Sequence, residues 1–300
     1  MALPYQWQMR LERLKQMFGG MFGRGGERRP QLCPACGALV GISATRCHEC
    51  GTNLRFGLAA WSKGLSEFFG GHAPVTTALL IVNAVMFGLS WIVTVKSGEG
   101  SGIGLFSGIG STALERLGAS NPYAILALHQ WYRLVTAMFL HLGILHIGFN
   151  MMVLLDIGPV VEELYGSARY LFVYICTGVV GFAMSMWFHP AAGASGALMG
   201  LIGVLIAVTT KRSSMEAKAL RSRLISWVLT IFLLGFFMGA DNIAHFGGLA
   251  CGFILGKVMP DHEPRDASER SRAYLLGWIA GTFTVASFVF MFLHFNDPLR

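Results

Sequence analysis

A serine in a run of small residues is the first candidate for chemistry. Ser195 lies between Gly193 and Gly196 in an apolar region, where a polar side chain is costly unless it has a partner or a function. The small neighbours leave its hydroxyl accessible, and we expect it at the N-terminus of a helix. The nucleophile turn of soluble hydrolases requires glycine two residues after the serine, but position 197 is alanine. Ser195 therefore predicts a nucleophile of another kind, although a serine between glycines also occurs by chance.

A histidine on a glycine-rich helix face is the candidate base. His245 precedes Gly248 by three residues and Gly252 by seven, so the three share one face. Two glycine-faced helices can approach closely, which would bring this imidazole within hydrogen-bonding reach of Ser195. A lone intramembrane histidine more often packs against a carbonyl or belongs to an ion path. The prediction therefore depends on Ser195 and His245 occurring together. Asp241 could orient His245, but an aspartate at a helix start is more often the N-cap.

A third polar group lies in the predicted second spanning segment. His146 and Asn150 are four residues apart, so they lie on one helix face and offer two hydrogen-bond donors to a common point. His141 lies elsewhere on the same helical wheel. Paired donors of this kind can stabilise the negative charge that develops on a carbonyl oxygen during acyl transfer.

Two CxxC knuckles indicate a separate metal site. Cys33 and Cys36 form the first knuckle, and Cys47 and Cys50 form the second. Four thiolates at this spacing predict a tetrahedral zinc site in a zinc ribbon over residues 30–53. Two disulfides or free thiols are the alternatives, and the reducing side of a membrane disfavours the first. Because four cysteines leave no open coordination position, we expect the zinc to be structural.

The composition indicates a membrane protein. Hydrophobic residues make up 54% of the chain, charged residues only 13%, and the mean hydropathy is +0.55. A spanning helix needs roughly 20 apolar residues, and seven runs approach this length, although the fourth and sixth are short. The predicted spans are 72–95, 134–156, 168–188, 195–210, 222–239, 242–259 and 273–294.

The distribution of basic residues predicts the orientation. The net charge of +7 invites a nucleic-acid partner, but the lysines and arginines concentrate in alternate segments. Residues 1–71 carry nine of them, and the loops 157–169, 211–223 and 257–272 carry one, five and four. The positive-inside rule then predicts a cytoplasmic N-terminus and an outside C-terminus. We expect nucleic acid not to be the partner, and the first span to act as the targeting signal.

These motifs together resemble the rhomboid family over residues 72–259. They match by residue type and spacing, except that a tyrosine replaces the second aromatic of the family's Trp-Arg element. In chain order the motif positions are Tyr132 and Arg133; His141, His146 and Asn150; Glu162, Gly166 and Ser167; Gly193, Ser195 and Gly196; His245, Gly248 and Gly252.

The resemblance implies an all-α membrane protein with a six-helix core and a seventh, C-terminal transmembrane helix, preceded by the small cytoplasmic zinc ribbon. The predicted organisation is a basic segment (1–29) that begins with either an amphipathic or a plain solvated helix, the ribbon (30–53), a linker (54–71), the six-span core (72–259) and a loop with the seventh helix (260–300). The resemblance also implies a location in a bacterial cell membrane.

The resemblance further implies an intramembrane serine endopeptidase that needs no cofactor for catalysis. Ser195 would be the nucleophile and His245 its base, with the Ser195 backbone N–H, His146 and Asn150 binding the oxyanion. Arg133, His141 and Glu162 would be structural. Substrates would be other membrane proteins, cut in or near their spans in the lipid bilayer. A catalytically silent rhomboid-like protein that binds membrane clients is the main alternative, and the partner of the zinc ribbon stays open.

Overall fold

The structure is a computed structural model that describes residues 31–32, 39–40, 48–49, 73–99 and 108–297. The chain divides into two compact units, Met1–Phe68 and Phe69–Arg300. In the first unit, strands β1 (Gln31–Leu32) and β2 (Leu39–Val40) pair antiparallel. Outside the described residues lie the predicted zinc ligands Cys33, Cys36, Cys47 and Cys50 and the segments 1–29 and 54–71.

Helices form the described part of the second unit. Four short helical segments lie within residues 111–139, and the longer helices form a bundle. The helices are α1 (Pro74–Lys96), α2 (Ser111–Arg116), α3 (Pro122–Leu126), α4 (Arg133–Thr136) with a 3₁₀ turn (Ala137–Phe139), α5 (Ile144–Tyr165), α6 (Ser167–Ser185), α7 (Ser195–Thr210), α8 (Met215–Met238), α9 (Asn242–Val258) and α10 (Ala267–Leu293).

Five of these helices are long and apolar enough to cross a membrane, judged by length and composition within the described residues: α1, α5, α6, α8 and α10. A shorter apolar helix, α7, has 16 residues, and α9 has 17. Each of the seven predicted spans thus contains a helix. That α7 and α9 also cross the membrane stays a prediction.

The second predicted span is wrong in its boundaries. It was expected over 134–156, but α5 begins at Ile144 and continues to Tyr165. Residues 133–139 form α4 and the 3₁₀ turn, and their apolar side chains are buried among other helices, as Val135 is. The expected loop over 157–169 is therefore mostly helix. The chain turns into α6 at Gly166, whose φ of +76° favours glycine.

Helix α7 lies at the centre of the bundle. Thirteen of its sixteen residues are buried, as expected for a helix that is apolar on all sides. It packs most extensively on α9, and α6 packs on both. By contrast, α8 and α10 leave large apolar side chains such as Phe236 and Trp278 exposed, which is what a lipid-facing surface requires.

Side-chain hydrogen bonds between helices define two ends of this bundle. At one end, the hydroxyl of Ser185 donates to the carboxylate of Asp241 over 2.5 Å, which joins the end of α6 to the start of α9. At the other end, Nζ of Lys257 donates to Oγ1 of Thr210 over 2.6 Å, which joins the end of α9 to the end of α7. Both α7 and α9 therefore begin at the same end.

Candidate active site

Ser195 and His245 are in hydrogen-bond contact. Oγ of Ser195 lies 2.8 Å from Nε2 of His245. Ser195 is the first residue of α7, and His245 lies in the first turn of α9. The imidazole is buried, whereas the serine is partly exposed. A hydroxyl at this distance from an imidazole nitrogen can pass its proton to the ring as it attacks a carbonyl.

Glycines allow the two helices to come close enough for this contact. A Cβ atom on Gly248 would overlap the backbone carbonyl of Gly196, and one on Gly252 would overlap that of Gly200. The contact is therefore backbone against backbone along two turns of each helix. Because the helices are this close, side chains at the start of α9 reach the first residue of α7.

His146 points its Nε2 atom toward the serine segment. The backbone N–H of Leu142 donates to Nδ1 of His146 over 3.3 Å, so in the neutral ring the proton is on Nε2. A Cβ atom on Gly193 would lie 2.9 Å from this Nε2 and 3.7 Å from Oγ of Ser195. Gly193 has φ of +143°, a conformation that favours glycine. The absence of a side chain at Gly193 leaves space between a hydrogen-bond donor and the serine hydroxyl.

Asn150 and His141 flank His146. Nδ2 of Asn150 donates to the backbone carbonyl of His146 over 2.8 Å, which uses one of the two N–H groups of the amide. The sequence predicted His141 on the same helix as His146, and this prediction is wrong. His141 lies in the turn before α5, which begins at Ile144. It is fully buried, and its ring contacts the His146 ring edge-on with centroids 5.2 Å apart. Neither of its ring nitrogens has a hydrogen-bond partner in the structure.

Asp241 is the N-cap of α9, as the sequence favoured. Its Oδ1 accepts the backbone N–H of Ala244 over 2.9 Å, and its Oδ2 accepts the Ser185 hydroxyl. The group that contacts Nδ1 of His245 is instead Asn242, through Oδ1 at 3.3 Å. Asn242 was not predicted from the sequence, although a polar residue three positions before His245 was a signal that could have indicated it.

Arg133 organises the segment that precedes α5. Its Nη1 donates to the backbone carbonyls of Glu115 and Ala119, at 2.9 and 3.0 Å, and its Nε donates to Gln130. Burial lowers the pKa of Arg133 and raises the pKa of its neighbour Tyr132. The guanidinium stays charged in proteins, so these carbonyls provide the polar contacts that a buried cation requires.

Glu162 lies at the opposite end of the bundle from Ser195. Its carboxylate accepts the backbone N–H groups of Val75 and Thr76, at 2.9 and 2.8 Å, and also the Thr76 hydroxyl. The Ser167 hydroxyl adds a bond of 2.6 Å. One buried carboxylate thus caps the start of α1 and joins it to the α5–α6 turn. This position separates Glu162 from the reacting groups.

Part of the chain is similar to known proteins. Residues 128–261 match the rhomboid domain family. Rhomboid protease GluP of Bacillus subtilis (strain 168) is 38% identical over 157 residues, 50% of this chain and 31% of the relative. RHOMBOID-like protein 6, mitochondrial, of Arabidopsis thaliana is 34% identical over 159 residues, 51% of this chain and 52% of the relative. Rhomboid-type serine protease 2 of Emericella nidulans is 35% identical over 134 residues, 42% of this chain and 26% of the relative.

The chain thus spans from about a quarter to about half the length of these curated relatives. The matched range 128–261 contains the positions of Ser195, His245, His146 and Asn150. Together with the five long apolar helices, the matches support an integral, multi-pass membrane protein of the rhomboid type.

Proposed function

We propose that the protein is an intramembrane serine endopeptidase that uses Ser195 and His245 as a catalytic dyad. The observation that carries the proposal is the 2.8 Å contact between Oγ of Ser195 and Nε2 of His245 inside an apolar bundle. A polar pair is costly in such surroundings, and a function explains its presence. The relatives that are named proteases support the same reaction class.

The chemistry follows from the positions of these atoms. Oγ of Ser195 attacks the scissile carbonyl carbon while Nε2 of His245 takes the hydroxyl proton. His245 then gives this proton to the leaving amine, and an acyl-enzyme ester remains on Ser195. Water, deprotonated by the same imidazole, attacks the ester and releases the second product. Both half-reactions pass through a tetrahedral oxyanion.

Three donors are available for that oxyanion. Ser195 is the first residue of α7, so its backbone N–H has no acceptor within the helix, and the helix dipole is positive there. Nε2 of His146 carries a proton and faces Gly193, next to the serine. We assign the second N–H of the Asn150 amide as the third donor, since the bond to the His146 carbonyl uses only one of the two. Donors held in place in this way lower the barrier because they need no reorganisation as charge develops.

The substrates we propose are other membrane proteins, cut in or near their spanning segments. A helix of 16 residues is about 24 Å long, which is less than the roughly 30 Å of a bilayer core. Water can therefore reach the first residue of the short helix α7 from the side of the membrane on which α7 begins. The reaction then takes place in a cavity that is open to water at one end of the bundle.

A catalytically silent rhomboid-like protein that binds membrane clients is the second candidate. The size of the match favours neither candidate, because the matched region covers only part of each relative. The presence of both Ser195 and His245 in contact favours the protease, since a client-binding surface requires neither group.

The test uses the purified protein in lipid with a panel of tagged single-span proteins. We expect Ser195→Ala, His245→Ala and the double variant each to abolish cleavage to nearly the same level, because the two groups act as one unit. A fluorophosphonate should label the wild type on Ser195 and fail to label Ser195→Ala. Ser287→Ala is the matched control, since this α10 hydroxyl bonds to its own helix at Phe283.

Unimpaired proteolysis by Ser195→Ala would exclude the dyad. A wild type that cleaves no client and reacts with no serine probe would favour the silent client-binding protein. Labelling of Ser287→Ala at the wild-type level shows that the probe reports on Ser195 and not on serines in general.

A further inference from the structure

We propose that Asn242 is a positioning residue that holds His245 in the tautomer required for catalysis. Oδ1 of Asn242 lies 3.3 Å from Nδ1 of His245, on the ring edge away from Ser195. The two residues are separated by one turn of α9, so this contact forms within a single helix. The inference rests on the proposed function, because it assigns a role within the same dyad.

The orientation of the Asn242 amide follows from its second contact. Nδ2 of Asn242 donates to the backbone carbonyl of Phe232 on α8 over 3.0 Å. A carbonyl only accepts, so the nitrogen of the amide must face Phe232 and the oxygen must face His245. The backbone of α8 thereby determines which way the amide points.

This orientation determines which nitrogen of His245 carries the proton. An amide oxygen accepts a hydrogen bond, so Nδ1 of the neutral imidazole is the protonated nitrogen. Nε2 then has a free lone pair directed at Oγ of Ser195, as a general base requires. Without Asn242, the ring would be free to adopt the other tautomer, in which Nε2 carries a proton and cannot accept one.

Two other neighbours of His245, Asp241 and Phe232, do not accept a hydrogen bond from its Nδ1. Both oxygens of Asp241 are engaged, one with the Ala244 N–H and one with the Ser185 hydroxyl. The Phe232 ring contacts the imidazole edge-on, with centroids 6.1 Å apart, and offers no acceptor in the ring plane. The amide lies where Gly235 of α8 leaves room, since a Cβ atom at Gly235 would crowd Oδ1 of Asn242.

Two variants of Asn242 separate positioning from packing. Asn242→Leu and Asn242→Asp both remove the donor to the Phe232 carbonyl and both keep the approximate shape, but only aspartate retains an acceptor for Nδ1 of His245. We expect Asn242→Leu to lower kcat at least about tenfold with KM nearly unchanged, because only the base is impaired. Asn242→Asp should retain kcat within about threefold of the wild type, since the tautomer is preserved.

The tautomer itself is measured by nitrogen NMR of ¹⁵N-histidine-labelled protein in lipid. The His245 signals are assigned by their loss in His245→Ala. We expect the wild type and Asn242→Asp to have a protonated Nδ1, and Asn242→Leu to have a mixture of tautomers. Gly235→Ala provides a second route, because its methyl group displaces the amide without altering it, and Gly88→Ala is the control at a position where a Cβ atom contacts nothing.

Equal kcat values for folded Asn242→Leu and Asn242→Asp would overturn the proposal, as would an unchanged tautomer in Asn242→Leu. If Asn242→Leu does not fold, Gly235→Ala decides instead. Wild-type turnover and a wild-type His245 tautomer in Gly235→Ala overturn the proposal, whereas reduced turnover with a mixture of tautomers supports it. Ser195→Ala is assayed in parallel. If that variant cleaves like the wild type, the protease function fails, whereas the nitrogen spectrum still decides the role of Asn242.

Discussion

The polar side chains around Ser195 are oriented mainly by the backbone. The N–H of Leu142 determines the tautomer of His146, and the carbonyl of His146 holds the amide of Asn150. The carbonyl of Phe232 does the same for Asn242. Backbone groups are rigid compared with side chains, so donors and acceptors held by them stay in place between turnovers. In an apolar bundle they also meet the requirement that buried polar atoms be bonded.

Replacing Asn150 by alanine should slow turnover much more than it weakens substrate binding. The donor matters chiefly when negative charge develops, so we expect kcat to fall by up to roughly a hundredfold, a loss of about 3 kcal/mol in transition-state stabilisation, with KM nearly unchanged. Steady-state cleavage of a reporter in lipid measures both constants. Asn83→Ala is the control, because Asn83 makes the same bond to a carbonyl four residues earlier, that of Leu79, but on α1. Wild-type turnover by Asn150→Ala would remove this residue from the proposed site.

At the scale of the elements, the contact between α7 and α9 decides whether the dyad forms. Ser195 and His245 are fifty residues apart in the sequence and belong to different helices. Their contact depends on an approach so close that side chains at Gly248 or Gly252 would meet the α7 backbone. Backbone atoms cannot rotate away as a flexible side chain can, so added bulk here must separate the helices.

Gly248→Ala tests this dependence. Its methyl group would overlap the Gly196 carbonyl, so we expect a loss of about 1–3 kcal/mol in unfolding free energy and a large loss of probe labelling at Ser195. In Gly88→Ala, on the exposed side of α1, the added methyl group contacts no other atom. This variant should keep wild-type probe labelling and should gain slightly in unfolding free energy from helix propensity. Unfolding in a denaturing detergent and fluorophosphonate labelling measure the two effects. Equal behaviour of the two variants would contradict the close-contact argument.

A second element-scale prediction concerns the junction of α1, α5 and α6. Glu162→Gln keeps the shape but replaces one acceptor oxygen by an amide nitrogen that faces existing donors. We expect the unfolding free energy to fall by about 2–3 kcal/mol, as when other buried charge-assisted hydrogen bonds are lost. Glu163→Gln, at the exposed neighbouring position, should leave the unfolding free energy nearly unchanged. Catalytic constants of the folded Glu162→Gln protein should stay close to wild type, since the carboxylate lies at the other end of the bundle.

At the scale of the whole molecule, the proposed site and the basic loops lie at opposite ends. Ser195 begins α7, whereas Lys211 and Arg212 follow its last residue. The positive-inside rule predicts that this basic end faces the cytoplasm, and the site would then open to the other side. This orientation stays a prediction, as does the zinc ribbon of residues 30–53, which we propose to be a folded cytoplasmic module.

For the ribbon we expect one tightly held zinc ion per chain, because four thiolates fill its coordination shell and metal binding supplies the folding energy. Metal analysis should find zinc in the wild type and in Cys176→Ser, whose thiol lies on α6, but not in the double variant Cys33→Ser/Cys36→Ser. The double variant should retain basal cleavage, because the positive-inside rule predicts that the N-terminal segment is cytoplasmic and that the proposed site opens to the other side. Wild-type zinc content in the double variant would refute the ligand assignment.

Several features followed from the sequence because their causes are local. The apolar run and its glycines predicted a helix over 195–210, and α7 has these bounds. The position of Asp241 just before an apolar helix predicted an N-cap, and its bond to the Ala244 N–H confirms it. Hydrophobic runs, caps and helix-face patterns involve residues a few positions apart, so a single sequence contains the necessary information.

Other features were decided only by the tertiary structure. The sequence did not separate residues 133–139 from a membrane span, because a segment buried in protein and one buried in lipid have the same apolar composition. It also did not reveal Asn242 as the partner of His245, because the orientation of that amide depends on the Phe232 carbonyl of a different helix. The sequence determined which residues are polar within an apolar chain. The packing of α7, α8 and α9 decided which of them meet, since hydrogen bonds require distances that only the folded helices establish.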